Sequence, residues 1–210
     1  LDDPASAVED DDEPAQPILQ TLRETLRDKT LVAWLFGATL CDLLDEILVV
    51  FASLHVRLDL GAGPVWQSAI VIAFVVGDLL GLVILERLLA SRSERRMLVV
   101  GAVGCAVTYA AWLAAPTPLA ALVLAVPAGL FIAPLYPLAA AQAYARRPDA
   151  SGSVLAAGHL FTPIGLALPF AIGAVADHAG LLAALGLLVA QPLGLVVIVL
   201  CTGGIAGRAR

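Results

Sequence analysis

The sequence predicts an all-α polytopic membrane protein with six transmembrane helices arranged as two three-helix repeats. Three observations carry this. Of the 210 residues, 60% are hydrophobic and only 14% are charged, against roughly 25% charged in ordinary soluble domains. Six apolar segments, 31–54, 66–85, 97–115, 118–141, 152–176 and 180–201, each lie near the ~20 residues that cross a ~30 Å hydrocarbon layer. Eleven of the twelve basic residues fall where six crossings put them on one side of the membrane, as the positive-inside rule requires.

Residues 1–17 carry Asp2, Asp3, Glu9, Asp10, Asp11, Asp12 and Glu13 and almost no large apolar group. Nothing there offsets the entropy of ordering, so the segment is expected to be a disordered acidic linker. The net charge of −6 is largely this tail. No basic flank precedes an early apolar stretch at Leu1, so no signal peptide is expected. The chain is expected to be a segment of a longer one, or a processed product. Residues 18–29 place Ile18, Leu19, Leu22 and Leu26 at helical spacing opposite Gln20, Arg23, Glu24, Arg27 and Asp28. That pattern predicts an amphipathic cytoplasmic helix lying on the membrane surface. The transmembrane domain then occupies residues 30–210.

Within that domain, Gly61 to Pro64, the Arg-rich run from Glu86 to Arg96, Ala115 to Pro118, Arg146 to Asp149 and Asp177 to Gly180 separate the spans. Each separator breaks or caps a helix. Thr117 before Pro118 forms a cap and first-turn pair, and Ser151 is expected to cap the fifth span. Arg57 alone lies opposite the other basic residues. Both termini and the even-numbered loops are therefore expected in the cytoplasm, with the chain a multi-pass protein of the cell membrane.

The first span holds Asp42, Asp45 and Glu46 near its middle. At 100° per residue the three share an arc of about 100°. A charge at mid-bilayer costs at least ~2.5–3.5 kcal/mol even on insertion scales, so the three acids must face water, a partner or each other. Crowding and desolvation oppose ionising all three at once, which suits the group to taking up and releasing protons. The structural alternative is pairing with basic residues on other helices; none of these six spans carries a deep Lys or Arg.

Asp78 in the second span is the next candidate, with Gln67 on the same helical face eleven residues earlier. Gly77 and Gly81 beside it would let another helix approach closely, a packing role that needs no function. In the fifth span His159 lies about 12 Å along the axis from Ser151; it is either a proton relay or a satisfied interior histidine. The fourth span holds Pro127, Pro134 and Pro137 around Phe131 and Tyr136. Interior prolines free carbonyls and bend a helix, and such backbone is tolerated at membrane depth only against protein or a water-filled cavity. This span is thus expected to bend and line a cavity, with Tyr136 as a ligand contact. His55, Asp59 and His178 are expected in external loops as solvated surface.

Several classes are disfavoured. No basic patch is interleaved with aromatics, so nucleic acid is not an expected partner. Cys41, Cys105 and Cys201 lack metal or redox spacing and are expected to be small buried hydrophobes; no metal or cofactor is expected. An enzyme would have only Ser153 and His159 as a dyad. Six residues apart on one helix, they sit about 240° apart and cannot meet within it. Eleven of the twelve basic residues are Arg, a bias that fits a GC-rich bacterial gene.

The third and sixth spans contain no ionisable residue, so the chain reads as two triplets whose last member is plain, a plan known among transporters. Taken together, the chain resembles the C-terminal six-helix half of a major facilitator superfamily transporter. The resemblance rests on two stretches. Gly77 to Arg96 resembles the superfamily's basic loop after the second helix of a half, with the expected G-x-x-x-D-R-x-G-R-R reduced to Gly81, Glu86-Arg87 and Arg95-Arg96. Gly165 to Gly180 resembles its helix-to-helix turn through Gly173, Asp177 and Gly180. The resemblance implies secondary active transport of a small solute by alternating access, proton-coupled, with drug or metabolite efflux as one form. It implies a cavity lined by spans one, two, four and five, and a partner N-terminal six-helix half on the same parent chain or a separate one. The alternative is a non-transporting membrane scaffold.

Overall fold

The computed structural model describes the backbone of residues 18–206 and the side chains of 22–202. The acidic segment 1–17, Arg208 and Arg210 lie outside the described residues. Among the described residues the fold is entirely helical. Helices α1 (Ile18–Arg27), α2 (Lys29–Leu58), α3 (Pro64–Leu89) and α4 (Glu94–Leu113) are followed by α5 (Pro118–Ile132) and α6 (Leu135–Tyr144). A 3₁₀ turn at Pro148–Ala150 leads into α7 (Ser151–His159), α8 (Thr162–Ala179), α9 (Leu181–Leu187) and α10 (Ala190–Ala206).

Five stretches have the length and apolarity to cross a membrane: Pro64–Leu89, Glu94–Leu113, Pro118–Tyr144, Pro148–Ala179 and Leu181–Thr202. They coincide with the second to sixth predicted segments and make the chain a membrane protein. Their outward residues agree: Phe170 is 80% and Val65 81% exposed, surface that only lipid or another protein would cover. With 30 residues, α2 is long enough to span, but any 18-residue stretch of it contains Asp42, Asp45 and Glu46. Apolarity alone therefore does not assign it to the membrane.

Three of the stretches are broken, each near a proline. The α5–α6 break falls at Ala133-Pro134, as the proline content of the fourth segment predicts. The breaks at Leu160-Phe161 and Leu188-Val189 divide segments expected to be continuous. Thr162-Pro163 and Gln191-Pro192 explain them, since proline fits the first turn of a helix but cannot continue one from before it.

Packing is closest between α3 and α5. A methyl group in place of the Gly77 hydrogen would overlap the carbonyl oxygen of Val126, one on Gly81 that of Leu130, and one on Gly129 that of Phe74. The two backbones thus meet through glycines on both sides, the small-residue packing expected of Gly77 and Gly81. Pro134 withholds the N–H that Leu130 O would have accepted, and that freed carbonyl is the one lying against Gly81. At one end of α2, Trp112 of α4 stacks on Tyr109 and lies 5.1 Å from the rings of both His55 and Phe74. The Tyr109 hydroxyl donates to Leu185 O at 2.9 Å, tying α4 to α9.

His55 corrects the sequence reading. It is not a solvated loop residue but lies in α2, 2% exposed, with Nδ1 2.6 Å from Asp59 Oδ2. His178 belongs to the last turn of α8, its Nδ1 2.8 Å from Ala174 O. Ser151 does not cap the fifth segment: the chain enters through the 3₁₀ turn, and Ser153 rather than Ser151 bonds its start, donating to Ala150 O at 2.8 Å. The Thr117 cap forms as expected, accepting from Ala120 N at 3.2 Å. The amphipathic helix ends at Arg27, because Asp28 caps α2 by accepting from Thr30 N and Leu31 N. It packs on α7, where Thr25 and Ser153 share a hydroxyl hydrogen bond of 3.1 Å.

The opposite end of the bundle gathers the arginines. Arg146 after α6 donates through Nε and Nη2 to Asp28 before α2, at 3.2 and 3.0 Å, and Arg147 donates to Glu24 O. Arg95 at the start of α4 donates to Val199 O of α10, and Gln142 of α6 donates to Glu94. The helix ends that carry the predicted one-sided charge therefore lie together.

Candidate functional site

A recess of about 380 Å³ opens on one face of the bundle between α2, α6, α7 and α8. Three elements supply its polar groups. From α2, Asp42 and Glu46 point in one turn apart, with Thr39 a turn earlier. From α6 come Tyr136 and Tyr144, and from the α7–α8 junction His159 and Thr162. Leu35, Leu43, Val154 and Leu166 form apolar wall between them. Asp42, Glu46, Tyr136, Tyr144, His159 and Thr162 are all exposed, so the recess is open rather than sealed between the four helices around it.

Two of the helix breaks border this recess. Tyr136 follows the Ala133-Pro134 break, and His159 ends α7 immediately before the Leu160-Phe161 break. Pro163 has no N–H to offer the carbonyl of His159, four residues earlier. The junction therefore presents an imidazole and a carbonyl that lacks its usual donor four residues on, backbone that is stable at membrane depth only beside protein or water.

The three acids of α2 divide. Asp42 and Glu46 enter the recess, whereas Asp45 is half-buried and outside its lining. Asp45 shares α2 with them, three residues after Asp42 and next to Glu46. Asp78 is wedged against α5, with its Oδ1 2.8 Å from where a methyl on Gly129 would sit. That Oδ1 is buried and has no hydrogen-bond partner among the described residues. Asp42 and Glu46 thus open on the recess, Asp45 is half-buried outside it, and Asp78 is held in the α3–α5 seam.

Of the sequence-predicted residues, Asp42, Glu46, Tyr136 and His159 come together in the recess. Asp45 and Asp78 stand behind it. Gln67 lies apart, near the start of α3, donating to Ala62 O at 3.2 Å, and α3 contributes no residue to the recess. Tyr144 and Thr162 were not singled out from sequence. For Thr162 the Thr162-Pro163 pair is the available signal, because it marks a helix start inside an apolar segment; Tyr144, at the end of α6, carries none. Among the described residues, no three carboxylate, imidazole or thiol groups converge closely enough to hold a metal ion. Ser153 is engaged with Ala150 and Thr25 at the far end of α7 from His159.

No protein-family model and no curated protein matches the chain.

Proposed function

We propose that the chain is one six-helix half of a secondary active transporter, of the kind the major facilitator resemblance implies, with α2 as its first span. The observation that carries this reading is the open polar recess. Asp42, Glu46, Tyr136, Tyr144 and His159 are exposed on one face of a bundle whose other helix faces expose many large apolar residues. Charge at that depth is too costly to face lipid, at ~2.5–3.5 kcal/mol or more for each ion, so protein and water cover it. A second six-helix half, on the same parent chain or separate, closes the recess into a central cavity. Both halves sit in the cell membrane, with the arginine-bearing ends and both termini in the cytoplasm.

Alternating access then needs helices that bend beside the site. The α5–α6 and α7–α8 breaks provide them, one next to Tyr136 and one at His159, in the manner of discontinuous transporter helices. Two carboxylates and two tyrosine rings lining one recess favour a cationic or amphipathic solute, through charge and cation–π attraction. Such a solute and protons compete for Asp42 and Glu46, which is the physical basis of proton antiport. Asp45 and Asp78 are further carboxylates outside the recess lining.

The test uses both halves assembled in proteoliposomes under an imposed pH gradient, with ethidium as the cationic probe. D42N and E46Q should each cut pH-driven flux roughly tenfold or more while the two halves remain assembled. Unchanged flux in both variants would refute coupling through this recess. Intact assembly with no flux of any solute in the unsubstituted protein would favour the scaffold reading.

A further inference from the structure

A second concavity, of about 320 Å³, lies on a different face, between the end of α3 and the start of α4. Its floor is small and its walls are apolar. Gly81 and Gly101 lie at its base, and Ile84, Leu88, Val100 and Phe131 line it. Ile84, Leu88 and Val100 are 40%, 41% and 58% exposed, so the slot faces outward, toward whatever surrounds the bundle. From Gly81 to Leu88 it runs about 10 Å along α3.

At its arginine-bearing end the chemistry changes abruptly. Arg92 in the α3–α4 turn and Arg96 in the first turn of α4 both border the slot. Among the described residues neither is within ion-pair distance of a carboxylate: the ion pairs are His55–Asp59 and Asp28–Arg146. The neighbouring Arg95 is committed to Val199 O and Glu94 to Gln142. Two uncompensated guanidinium groups thus cap an apolar slot parallel to the helix axes, at the level where the helices leave the membrane.

We propose that this groove binds one anionic glycerophospholipid, its acyl chain along Ile84, Leu88 and Val100 and its phosphate at Arg92 and Arg96. Charge complementarity selects this occupant. An apolar helix from another protein would fill the slot but leave both guanidiniums unpaired at its mouth. A zwitterionic lipid neutralises its own phosphate, whereas an anionic one brings net charge to planar donors suited to phosphate. The lipid fixes the turn between α3 and α4 relative to α5 and α6, whose break at Ala133-Pro134 forms the back wall. The inference rests on the membrane placement of the chain, not on transport.

Native mass spectrometry of the full chain, released from detergent containing equal phosphatidylglycerol and phosphatidylcholine of identical acyl chains, tests it. The unsubstituted chain should keep one phosphatidylglycerol and no phosphatidylcholine beyond the background of loosely held lipid. R92Q/R96Q should lower that retention roughly tenfold or more, R92K/R96K should largely keep it, and V100W should lose it with both arginines in place. Equal retention of the two lipids, or full retention in R92Q/R96Q, would overturn the proposal. Retention surviving V100W would mean that a headgroup or free phosphate is held without the slot, which overturns it too, as would a dimer formed at this face and unaffected by lipid. A chain that stays monodisperse without detergent would instead overturn the membrane placement beneath it.

Discussion

At the α3–α5 seam a methyl group on Gly77 would overlap the backbone of α5, coming within 3.0 Å of Leu130 N as well as onto Val126 O. Beside the recess, a methyl on Gly158 would come no nearer than 3.7 Å to Leu35, and one on Gly165 no nearer than 3.4 Å to Leu43. Both regions are walled by glycine-containing helices inside one bundle, yet only the first uses its glycines for backbone contact. Close-packed backbone has no way to give, whereas side-chain tips across open space do. The α3–α5 pair is therefore a rigid unit. The walls formed by α7 and α8 make no such backbone contact with α2 at their glycines, and the breaks at Ala133-Pro134 and Leu160-Phe161 fall on the walls of the recess.

The largest expected effect breaks the rigid side. Gly77→Ala forces α3 and α5 apart and should cost about 3 kcal/mol, the upper part of the range for overpacking, read from denaturant unfolding in detergent. Gly158→Ala, by contrast, gains helix propensity in a gap that accepts the methyl and should stabilise by about 0.5–1 kcal/mol. Equal and large losses in both variants would mean that the two regions do not differ in packing as described.

A smaller effect separates the acids by the same boundary. Asp78 presses a partnerless carboxylate oxygen into the rigid seam, and a buried polar atom left unsatisfied costs about 1–3 kcal/mol. Asp78→Asn leaves a polar atom in place but removes the desolvation cost of a buried charge at nearly constant shape, and should raise stability by about 1 kcal/mol. Asp42→Asn, on the open recess, should move stability by no more than about 0.5 kcal/mol, its consequence lying in flux instead. If Asp42→Asn stabilises as much as Asp78→Asn, the recess carboxylates are as strained as the buried one and the division fails.

Much of this contrast is legible in the residues. Composition and span length delimit the five apolar stretches, and Gly77 with Gly81 announces a close helix contact one turn apart. The acids of α2 announce a shared face. What the spacing of Asp42, Asp45 and Glu46 does not contain is which neighbour each edge of that arc meets; this is set by how α3 and α6 pack on α2. His55 was misread for a related reason. Its polarity near Arg57 and Asp59 suggests a wet loop, but α2 runs through to Leu58 and Trp112 of α4 covers the ring. The breaks before Pro163 and Pro192 were within reach of sequence, because a proline inside an apolar run marks a new helix start as readily as a kink. Gln67 shares Asp78's face by angle, but its place near the helix start turns it to Ala62 O instead.

The mildest perturbation addresses how the recess side is held. The α2 and α6 walls are clamped at the arginine-bearing end by Asp28 and Arg146, which are 22% and 43% exposed. Burial by itself would raise the Asp28 carboxyl, but the N–H of Leu31, the Arg146 guanidinium and the N–H of Thr30 outweigh it and hold the group below its ordinary 3.8. With the folded value depressed, the clamp's stabilisation is complete above that ordinary value and is lost as pH falls through the folded one. An exposed pair plus a helix cap is worth about 1 kcal/mol. Hydrogen exchange at the α1–α2 junction and in the last turn of α6 should therefore speed up as pH is lowered from about 5 to about 3, after correction for intrinsic rates. Arg146→Gln should weaken that dependence. Exchange in α3 between Gly77 and Gly81 should not follow it, because among the described residues no ion pair joins α3 to α5; parallel acceleration there would mean that the seam and the clamped end open as one unit.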